Sequence, residues 1–262
     1  MEYVIVTGAY GGMGRETVKL FIEKGYTVFA LDKKVEQASD GVIPVEVDVT
    51  SEESVANAFK LVSAVTDRVK AIIHFAGIYM LDSLVEMSEE RFVKAFNVNL
   101  FGVYRINKVF APMVKGGKII ITTSELAPLD PLPFTGIYAI TKSALDKYAY
   151  SLRMEVQLLD IKVAVLQVGA VNTGLLSVSL TELDKFIERT ELYNCNAQKF
   201  KKVVNSVEAK SVTPDKVAKK AYKAFKAKRP RFVYNLNRNP LLLILNALPK
   251  RWQTGIIKKI LK

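Results

Sequence analysis

The sequence has very few of the residues that build disulfides and histidine-based metal sites. Its 262 residues include a single Cys, Cys195, and a single His, His74. One Cys excludes an intramolecular disulfide and favours a reducing compartment. One His excludes His-rich metal sites, so we expect no metal in the site. His74 lies within a predicted buried strand and is interpreted as a core imidazole, and Cys195 as an inert thiol.

Long apolar runs are also missing. The first eight residues lead directly into a predicted strand, without a basic leader that precedes an apolar core and a cleavage site. The longest apolar stretch near the end, Leu241–Ala247, is interrupted by Asn246 and is too short to span a bilayer. These patterns predict a cytoplasmic protein without a transmembrane helix.

Acidic residues are scarce in the last quarter of the chain. The whole chain carries 38 Lys and Arg against 26 Asp and Glu, a net charge of +12. Residues 199–262 hold 18 of those bases and only two acids, so the first 198 residues are mildly acidic. Half of the residues are hydrophobic and 24% are charged, which is typical of a globular protein with a sizeable core. The length fits one large α/β domain or two small ones.

Strand and helix patterns alternate along the chain. Short apolar runs typical of strands buried on both faces are separated by amphipathic segments, two of which, 89–114 and 135–160, predict long helices. The strands are predicted at 3–7, 26–31, 42–47, 71–75, 118–122, 162–168 and, as an edge strand, 231–234. This alternation predicts an α/β, doubly wound Rossmann fold, with a parallel sheet of about seven strands and helices on both faces.

A glycine-rich turn follows the first predicted strand. Gly8 permits a tight turn, Gly12 a close approach of the backbone, and Gly14 close packing of helix on strand. The N–H groups of such a turn and the following helix N-terminus can bind a pyrophosphate. A tight surface turn would have the same composition, so the glycines alone leave both interpretations open.

An acid at the end of the second predicted strand strengthens the nucleotide interpretation. Asp32 stands where a carboxylate can accept hydrogen bonds from an adenosine ribose, and it would repel a 2′-phosphate. Lys33 and Lys34 could instead receive that phosphate, but no base lies inside the glycine turn, so the sequence favours NAD over NADP. Asp48 ends the third strand and either bonds an adenine or caps a turn.

Tyr138 and Lys142 lie four residues apart on a predicted helix and therefore share a face. A nearby ammonium lowers the pKa of a tyrosine, so the pair could exchange a proton with an alcohol or a ketone. The spacing alone is common among surface residues. Ser124 strengthens the catalytic interpretation, because it follows the fifth strand at the carboxyl edge of the sheet, where its hydroxyl could orient a substrate oxygen.

With these residues the chain resembles the short-chain dehydrogenase/reductase family in its classical form. The resemblance covers roughly residues 1–235. It rests on Thr7-Gly8-x-x-x-Gly12-x-Gly14, Asp32, Asp48, Ala76-Gly77, Asn97-Val98-Asn99, Ser124, Tyr138-x-x-x-Lys142 and Gly169-x-Val171-x-Thr173, in that order. It implies an NAD(P)(H)-dependent oxidoreductase that interconverts a secondary alcohol and a ketone and forms a homodimer or homotetramer.

The resemblance also implies roles for single residues. Tyr138 would be the general acid/base and Ser124 would position the reacting oxygen. Lys142 would bind the nicotinamide ribose and lower the pKa of Tyr138, Asn99 would hold a proton-relaying water, and Thr173 would contact the carboxamide. The implied cofactor contacts are Gly8, Gly11, Gly12, Met13, Gly14, Asp32, Asp48, Val49, Phe75, Ala76, Gly77, Tyr138, Lys142, Val171 and Thr173.

Three positions depart from the family pattern. Phe75 stands where an Asn usually precedes Ala-Gly, and Val168 replaces the usual Pro before Gly169. The interval from Ser124 to Tyr138 is one residue longer than usual and contains three prolines. None of these changes removes an expected catalytic group, but each affects the expected shape of the substrate wall.

Beyond the motifs we expect a substrate lid at about 172–212, within a dehydrogenase domain at 1–235. Its apolar residues either cover an apolar substrate, which would be steroid-, retinoid- or acyl-like, or form the core of two lid helices. They are Leu175, Leu176, Leu180, Leu183, Phe186 and Ile187.

Residues 236–262 are predicted to be a basic amphipathic extension. Trp252, Ile256 and Ile260 are four residues apart and are surrounded by bases. The segment resembles the C-terminal part of hydroxysteroid and retinol dehydrogenase-like members. It could lie on a membrane surface through 240–262, pack on the protein's own body, or bury in a homodimer. Nucleic acid is disfavoured because no aromatic-plus-base platform is present.

The sequence therefore leaves two classes of function open. The first is the oxidoreductase with an apolar substrate. The second is a non-catalytic NAD-binding sensor or scaffold whose basic tail binds a membrane or a partner. The complete set Asn99, Ser124, Tyr138 and Lys142 argues for the enzyme, because a sensor needs none of these side chains.

Overall fold

The computed structural model describes residues 1–208 and 211–262, with the side chains of 174–180 and 206–208 excepted. The side chains of the predicted lid residues Leu175, Leu176 and Leu180 therefore lie outside the described part of the chain.

Seven parallel strands form one sheet in the order β3-β2-β1-β4-β5-β6-β7. The strands are β1 Tyr3–Thr7, β2 Thr27–Asp32, β3 Val42–Glu46, β4 Ala71–His74, β5 Lys118–Thr122, β6 Lys162–Val168 and β7 Val233–Leu236. The helices are α1 Gly12–Glu23, α2 Glu52–Ser63, α3 Glu89–Phe96, α4 Gly102–Phe110, α5 Gly136–Val156, α6 Gly174–Arg189, α7 Asn194–Glu208, α8 Pro214–Lys226, α9 Pro240–Ala247 and α10 Lys250–Leu261. The predicted doubly wound α/β fold is confirmed.

The alternation of side chains along each strand divides the core into two layers. Ile5 and its neighbours on the same face pack with Phe110 of α4 and Leu145 of α5. Val4 and Val6 face the other way and pack with Phe21 of α1 and residues of α8. Because both faces of the sheet are covered, the strands are apolar throughout rather than alternating, which is why they were recognisable in the sequence.

The segment predicted as one long helix over 89–114 is divided. A π-helical turn, Asn97–Phe101, separates α3 from α4, and a short 3₁₀ turn, Ala111–Val114, follows α4. The apolar periodicity continues through the turn, which is why the sequence pattern concealed it. A π turn inserts an extra residue into a helix and is frequent at functional sites. The last edge strand also begins two residues later than predicted, because its register pairs Val233 with Val165.

Helices α6 and α7 form the lid region, and ion pairs attach α6 to the rest of the domain. The buried carboxylate of Asp82 pairs with Arg91 at 2.8 Å and with Arg189 of α6 at 2.6 Å. Leu183 and Phe186 of α6 are buried with Phe134 and with Phe200 of α7. These side chains form a core of the lid itself, so part of the predicted apolar lid serves packing.

The last helix, α10, folds back onto the lid. Leu261 of α10 is buried in the same cluster as Phe200, and the side chain of Asn196 donates a hydrogen bond to the carbonyl of Leu261 at 2.7 Å. Along the described ranges, no helix has both the length and the apolar composition needed to cross a membrane. The tail packs on the protein's own body through Ile257 and Leu261, whereas the stripe of Trp252, Ile256 and Ile260 stays exposed.

Candidate active site

The candidate site lies at the carboxyl edge of the sheet. β1 has β2 on one side and β4 on the other, so the strand order reverses at this point and a crevice opens between the loops. Ligands of doubly wound sheets bind at such a switch point. The loops after β1, β4, β5 and β6 all reach this crevice and carry the predicted motifs.

The glycine turn is built as tightly as its sequence predicts. Gly8 has φ +66°, and a Cβ there would lie 2.6 Å from the backbone nitrogen of Ala76. A Cβ on Gly14 would collide with the carbonyl oxygen of Gly8, so α1 begins directly against β1. Gly12 faces Thr173 of the loop after β6. The N-terminus of α1, which starts at Gly12, therefore points into the crevice.

The two acids at the strand ends are held in different ways. Asp32 accepts hydrogen bonds from the backbone nitrogens of Tyr10 at 2.9 Å and Lys33 at 2.7 Å. Asp48 accepts from the Lys33 ammonium at 2.7 Å and from both donors of Thr50. These bonds, led by the Lys33 contact, lower the pKa of Asp48 to about 2. Asp32 thus ties the glycine turn to β2, whereas Asp48 organises its own turn.

The β4 loop and the π turn form the inner wall of the site. The side chain of Asn99 accepts from the backbone nitrogen of Ile78 at 2.8 Å and donates to the Ile78 carbonyl at 3.0 Å and to Thr141 at 3.1 Å. A Cβ on Gly77 would lie 3.2 Å from the side-chain oxygen of Asn99 and 3.6 Å from the Lys142 ammonium. The side chain of Asn99 is therefore occupied by protein partners.

The remaining predicted cofactor contacts surround this wall. Ala76 lies against Gly8, and the nitrogen of Ala76 is 3.4 Å from the hydroxyl of Thr7. The backbone oxygen of Val49 accepts from Arg105 at 3.3 Å, and the Val49 side chain contacts Gly102 of α4. Gly11 donates to the Gly8 carbonyl within the turn. Met13, Phe75, Gly77, Val171 and Thr173 line the crevice itself.

Ser124, Tyr138 and Lys142 meet at the base of the crevice. The hydroxyls of Ser124 and Tyr138 are hydrogen-bonded to each other. Lys142 is 6% exposed, its ammonium donates to the carbonyl of Thr122 at 3.2 Å, and it lies 5.7 Å from the centre of the Tyr138 ring. Tyr79 packs edge-on against Tyr138 with 4.7 Å between ring centres. Three of the four predicted catalytic side chains are thus brought together.

The electrostatics of this group are dominated by burial. Burial raises the pKa of Tyr138 to about 12, and the Ser124 hydrogen bond acts in the opposite direction. Burial lowers the pKa of Lys142 to about 8. The pKa of Tyr138 is thus raised in this structure, and the lowering of that pKa by Lys142 stays a prediction. A phenol with this pKa carries its proton at neutral pH.

An apolar pocket of about 590 Å³ extends outward from these hydroxyls. Its size is that of a small-molecule site. Its inner end holds Ser124, Tyr138 and Lys142, and its outer wall comes from α7, α9 and α10. The residues supplied by α9 and α10 and the link between them are Leu241, Leu242, Ile244, Leu245, Leu248, Ile256, Ile257, Ile260 and Leu261. The predicted basic extension is therefore the apolar wall of the pocket.

Two residues of the site were not found from the sequence. Glu125 is buried beside Ser124, accepts from the backbone nitrogen of Asn239 at 2.6 Å, and has its pKa raised by burial. In the sequence, the position of Glu125 directly after Ser124 was the signal that could have placed it in the site. Tyr79 had no signal beyond its place two residues after Gly77, since ring contact with Tyr138 depends on the tertiary fold.

The described residues fit a nicotinamide dinucleotide. The cradle formed by Gly8, Gly12 and Gly14 is closed to any side chain and backed by a helix N-terminus, which suits a pyrophosphate. Asp32 stands at the end of β2 with a carboxylate available to ribose hydroxyls. Lys142 and Thr173 line the crevice where a nicotinamide end would lie.

Comparison with known proteins agrees with this geometry. The profile of the short chain dehydrogenase family matches residues 2–183. A 3-ketodihydrosphingosine reductase of Bacteroides thetaiotaomicron is 27% identical over 253 residues, which cover 96% of this chain and 93% of that protein. An NADPH-dependent 1-acyldihydroxyacetone phosphate reductase of Schizosaccharomyces pombe is 28% identical over 84% of this chain and 77% of its own length.

A solved structure gives the same fold. The crystal structure of a short chain dehydrogenase from Burkholderia cenocepacia, in complex with NADP, superposes with a TM-score of 0.74 at 20% identity and covers 100% of both chains.

Proposed function

Since the chain belongs to the short-chain dehydrogenase family and is an oxidoreductase of that type, we propose that it interconverts a secondary alcohol and a ketone on an apolar, steroid-, retinoid- or acyl-like substrate. One observation carries the proposal: Ser124, Tyr138 and Lys142 meet at the closed end of a pocket whose outer wall is almost entirely aliphatic. A carbonyl reaching those hydroxyls would leave the rest of its molecule among Leu and Ile side chains.

The chain's own residues supply proton transfer and positioning. Tyr138 donates a proton to the carbonyl oxygen in reduction and accepts it in oxidation, and Ser124 orients that oxygen through its hydroxyl. Lys142 places a positive charge below the Tyr138 ring. Asn99 fixes the loop after β4 by its two bonds to Ile78. When bound, the nicotinamide cofactor supplies or accepts the hydride.

For the cofactor, the arrangement around Asp32 supports NAD(H) over NADP(H). A 2′-phosphate would lie against the Asp32 carboxylate, and two nearby cations are already paired: Lys33 with Asp48, and Arg15 with Glu36. Two of the compared proteins have NADP(H) in their descriptions, so selectivity must be measured. We expect NADH to bind at least tenfold more tightly than NADPH, and Asp32→Asn to reduce that ratio. Equal affinities in the unaltered protein would contradict the preference.

An activity screen tests the reaction. NADH or NADPH oxidation is followed by absorbance with apolar ketones of steroid, retinoid and acyl type, and with polar sugar ketones of similar reactivity as the matched panel. Turnover of the apolar panel is expected. Turnover of the sugars alone would reject the substrate class, and failure to bind either cofactor at millimolar concentration would reject the function.

The partners in this proposal are an alcohol or ketone, further copies of the chain in a homodimer or homotetramer, and a membrane surface against residues 240–262 of a cytoplasmic protein. The non-catalytic sensor remains the second candidate. It predicts that NADH binds while no ketone is turned over, and that replacing Tyr138 changes nothing measurable.

A further inference from the structure

The outer face of α9 and α10 is apolar although it faces solvent. Leu241 is 67% exposed, Ile244 61%, Trp252 62% and Ile260 53%. Trp252, Ile256 and Ile260 are four residues apart and therefore form one stripe on α10. Large aliphatic and aromatic side chains grouped in this way mark a surface that contacts an apolar partner.

Several of the same side chains also line the substrate pocket. Leu241 and Ile244 of α9, and Ile256 and Ile260 of α10, belong to both the exposed face and the pocket wall. The pocket therefore opens to the outside between α9 and α10, and its rim is built from the exposed apolar residues. We call this rim, Leu241, Ile244, Ile256 and Ile260, the pocket mouth.

The charge around the mouth has one sign. Residues 240–262 contain five Lys and Arg and no acid. Lys250 is paired with Asp130, whereas Arg251, Lys258, Lys259 and Lys262 are exposed and have no ion pair among the residues that the structure describes. An aliphatic centre with a flanking row of cations complements an anionic lipid surface, where acyl chains lie beneath phosphate groups.

From this geometry we propose that the pocket mouth docks on an anionic bilayer and that the apolar substrate enters the pocket directly from the lipid. The inference rests on the proposed oxidoreductase function for the identity of the substrate, but the docking itself needs no turnover. We name a membrane as the partner because cations flank the apolar stripe. A second copy of the chain would bring the same cations against each other.

The single tryptophan of the chain makes docking measurable. Trp252 does not line the pocket, so its emission reports the outer face. On addition of phosphatidylglycerol-containing vesicles we expect a blue shift and quenching by brominated acyl chains, both weakened by salt. The protein should bind pure phosphatidylcholine vesicles much more weakly. No shift, or equal and salt-independent binding to both vesicles, would overturn the proposal.

Charge-matched variants separate local attraction from net charge. Lys258→Glu with Lys259→Glu should reduce partition onto anionic vesicles in co-sedimentation by about thirtyfold or more, since each base near such a surface contributes about 1 kcal/mol and tenfold is about 1.4 kcal/mol. Lys216→Glu with Lys223→Glu changes the net charge equally on α8, where both lysines are exposed, and should bind nearly as the unaltered protein does. Equal losses in the two pairs would contradict a specific face.

A second probe tests whether the mouth itself meets the lipid. In a Cys195→Ser background, Ile244→Cys is labelled with an environment-sensitive dye, and Lys216→Cys serves as the control site. Insertion predicts a blue shift at residue 244 and none at 216. A response of Trp252 without one at 244 would reject entrance from the lipid, and burial of Trp252 by self-association without vesicles would reject the membrane as partner. NADH titration of the same samples tests the proposed function separately.

Discussion

Replacing Lys142 with Met removes a buried ammonium that the fold stabilises poorly. Burial sets the pKa of this lysine at about 8 in the folded protein, against an ordinary value of 10.5. Between these values the unfolded chain binds more protons than the folded one, so stability rises with pH through this window and is lost as pH falls. Lys142 therefore contributes a pH-dependent part of the free energy of unfolding that a methionine cannot contribute.

The size of that part follows from the two pKa values. Between pH 7 and pH 9.5 the free energy of unfolding should rise by about 2 kcal/mol from Lys142 alone. Tyr138, whose pKa is raised to about 12, opposes this by only about 0.2 kcal/mol over the same range. In urea, with a slope of about 3 kcal/mol/M, the midpoint should move upward by roughly 0.7 M.

The assay is urea unfolding at pH 7 and pH 9.5 for the unaltered protein and for Lys142→Met. Other groups that titrate in this range are common to both proteins, so the difference between the two shifts isolates Lys142. We expect the Lys142→Met variant to lose most of the alkaline gain and to lose turnover while it keeps its fold. An identical alkaline gain in both proteins would refute the assignment of the lowered pKa to this lysine.

Three further outcomes are expected. Tyr138→Phe should lower kcat by about 10²–10⁴-fold with NADH affinity unchanged by fluorescence titration, and retained turnover would remove Tyr138 as the proton donor. Gly14→Ala should abolish NADH binding, because the added Cβ would meet the Gly8 carbonyl. The control Gly255→Ala, where nothing lies within 4 Å of the added Cβ, should bind NADH normally. Similar NADH affinities in the two variants would contradict the glycine cradle. Burial lowers the pKa of His74 to about 4, so its NMR signals should not titrate from pH 8 to 5. The free energy of unfolding should fall by up to about 3 kcal/mol as pH drops from 6.5 towards 4. An NMR titration midpoint near pH 6.5 would show that this imidazole reaches water.

The sheet was predictable because each strand carries its own signal. β1 and β5 run from Tyr3 to Thr7 and from Lys118 to Thr122 as predicted, since strands covered on both faces are apolar without interruption. The edge strand β7 has partly exposed residues and neighbours on one side only. Its start was misplaced by two residues because local composition does not fix the register with β6.

Side chains whose role depends on local spacing were also predictable, but their protonation was not. The spacing of Tyr138 and Lys142 needs only helical geometry, and it correctly predicts neighbours on one face. Their pKa values depend on how completely α5 and β5 exclude water, which is a property of the assembled fold. Burial raises the pKa of Tyr138, an effect that charge proximity along the sequence does not contain.

The π turn at Asn99 could not be predicted from sequence periodicity. The sequence from Glu89 to Val114 reads as one helix because its apolar residues keep a nearly helical period. The hydrogen bonds that accompany the inserted turn come from Ile78 and Thr141, which are 21 and 42 residues from Asn99 along the chain. No periodicity within the segment contains that information.

The extended loop between Ser124 and Tyr138 and the C-terminal helices are best understood as one feature. The backbone nitrogen of Asp130 donates to the side chain of Asn246 at 2.6 Å, and the carboxylate of Asp130 pairs with Lys250. Glu125 holds the backbone nitrogen of Asn239, the residue before α9. The loop that carries Ser124 at one end thus binds the helices that wall the pocket. A change in the position of α9 would reach Ser124 through Glu125, so the basic end of the chain, although it supplies no catalytic group, helps to shape the catalytic end of the pocket.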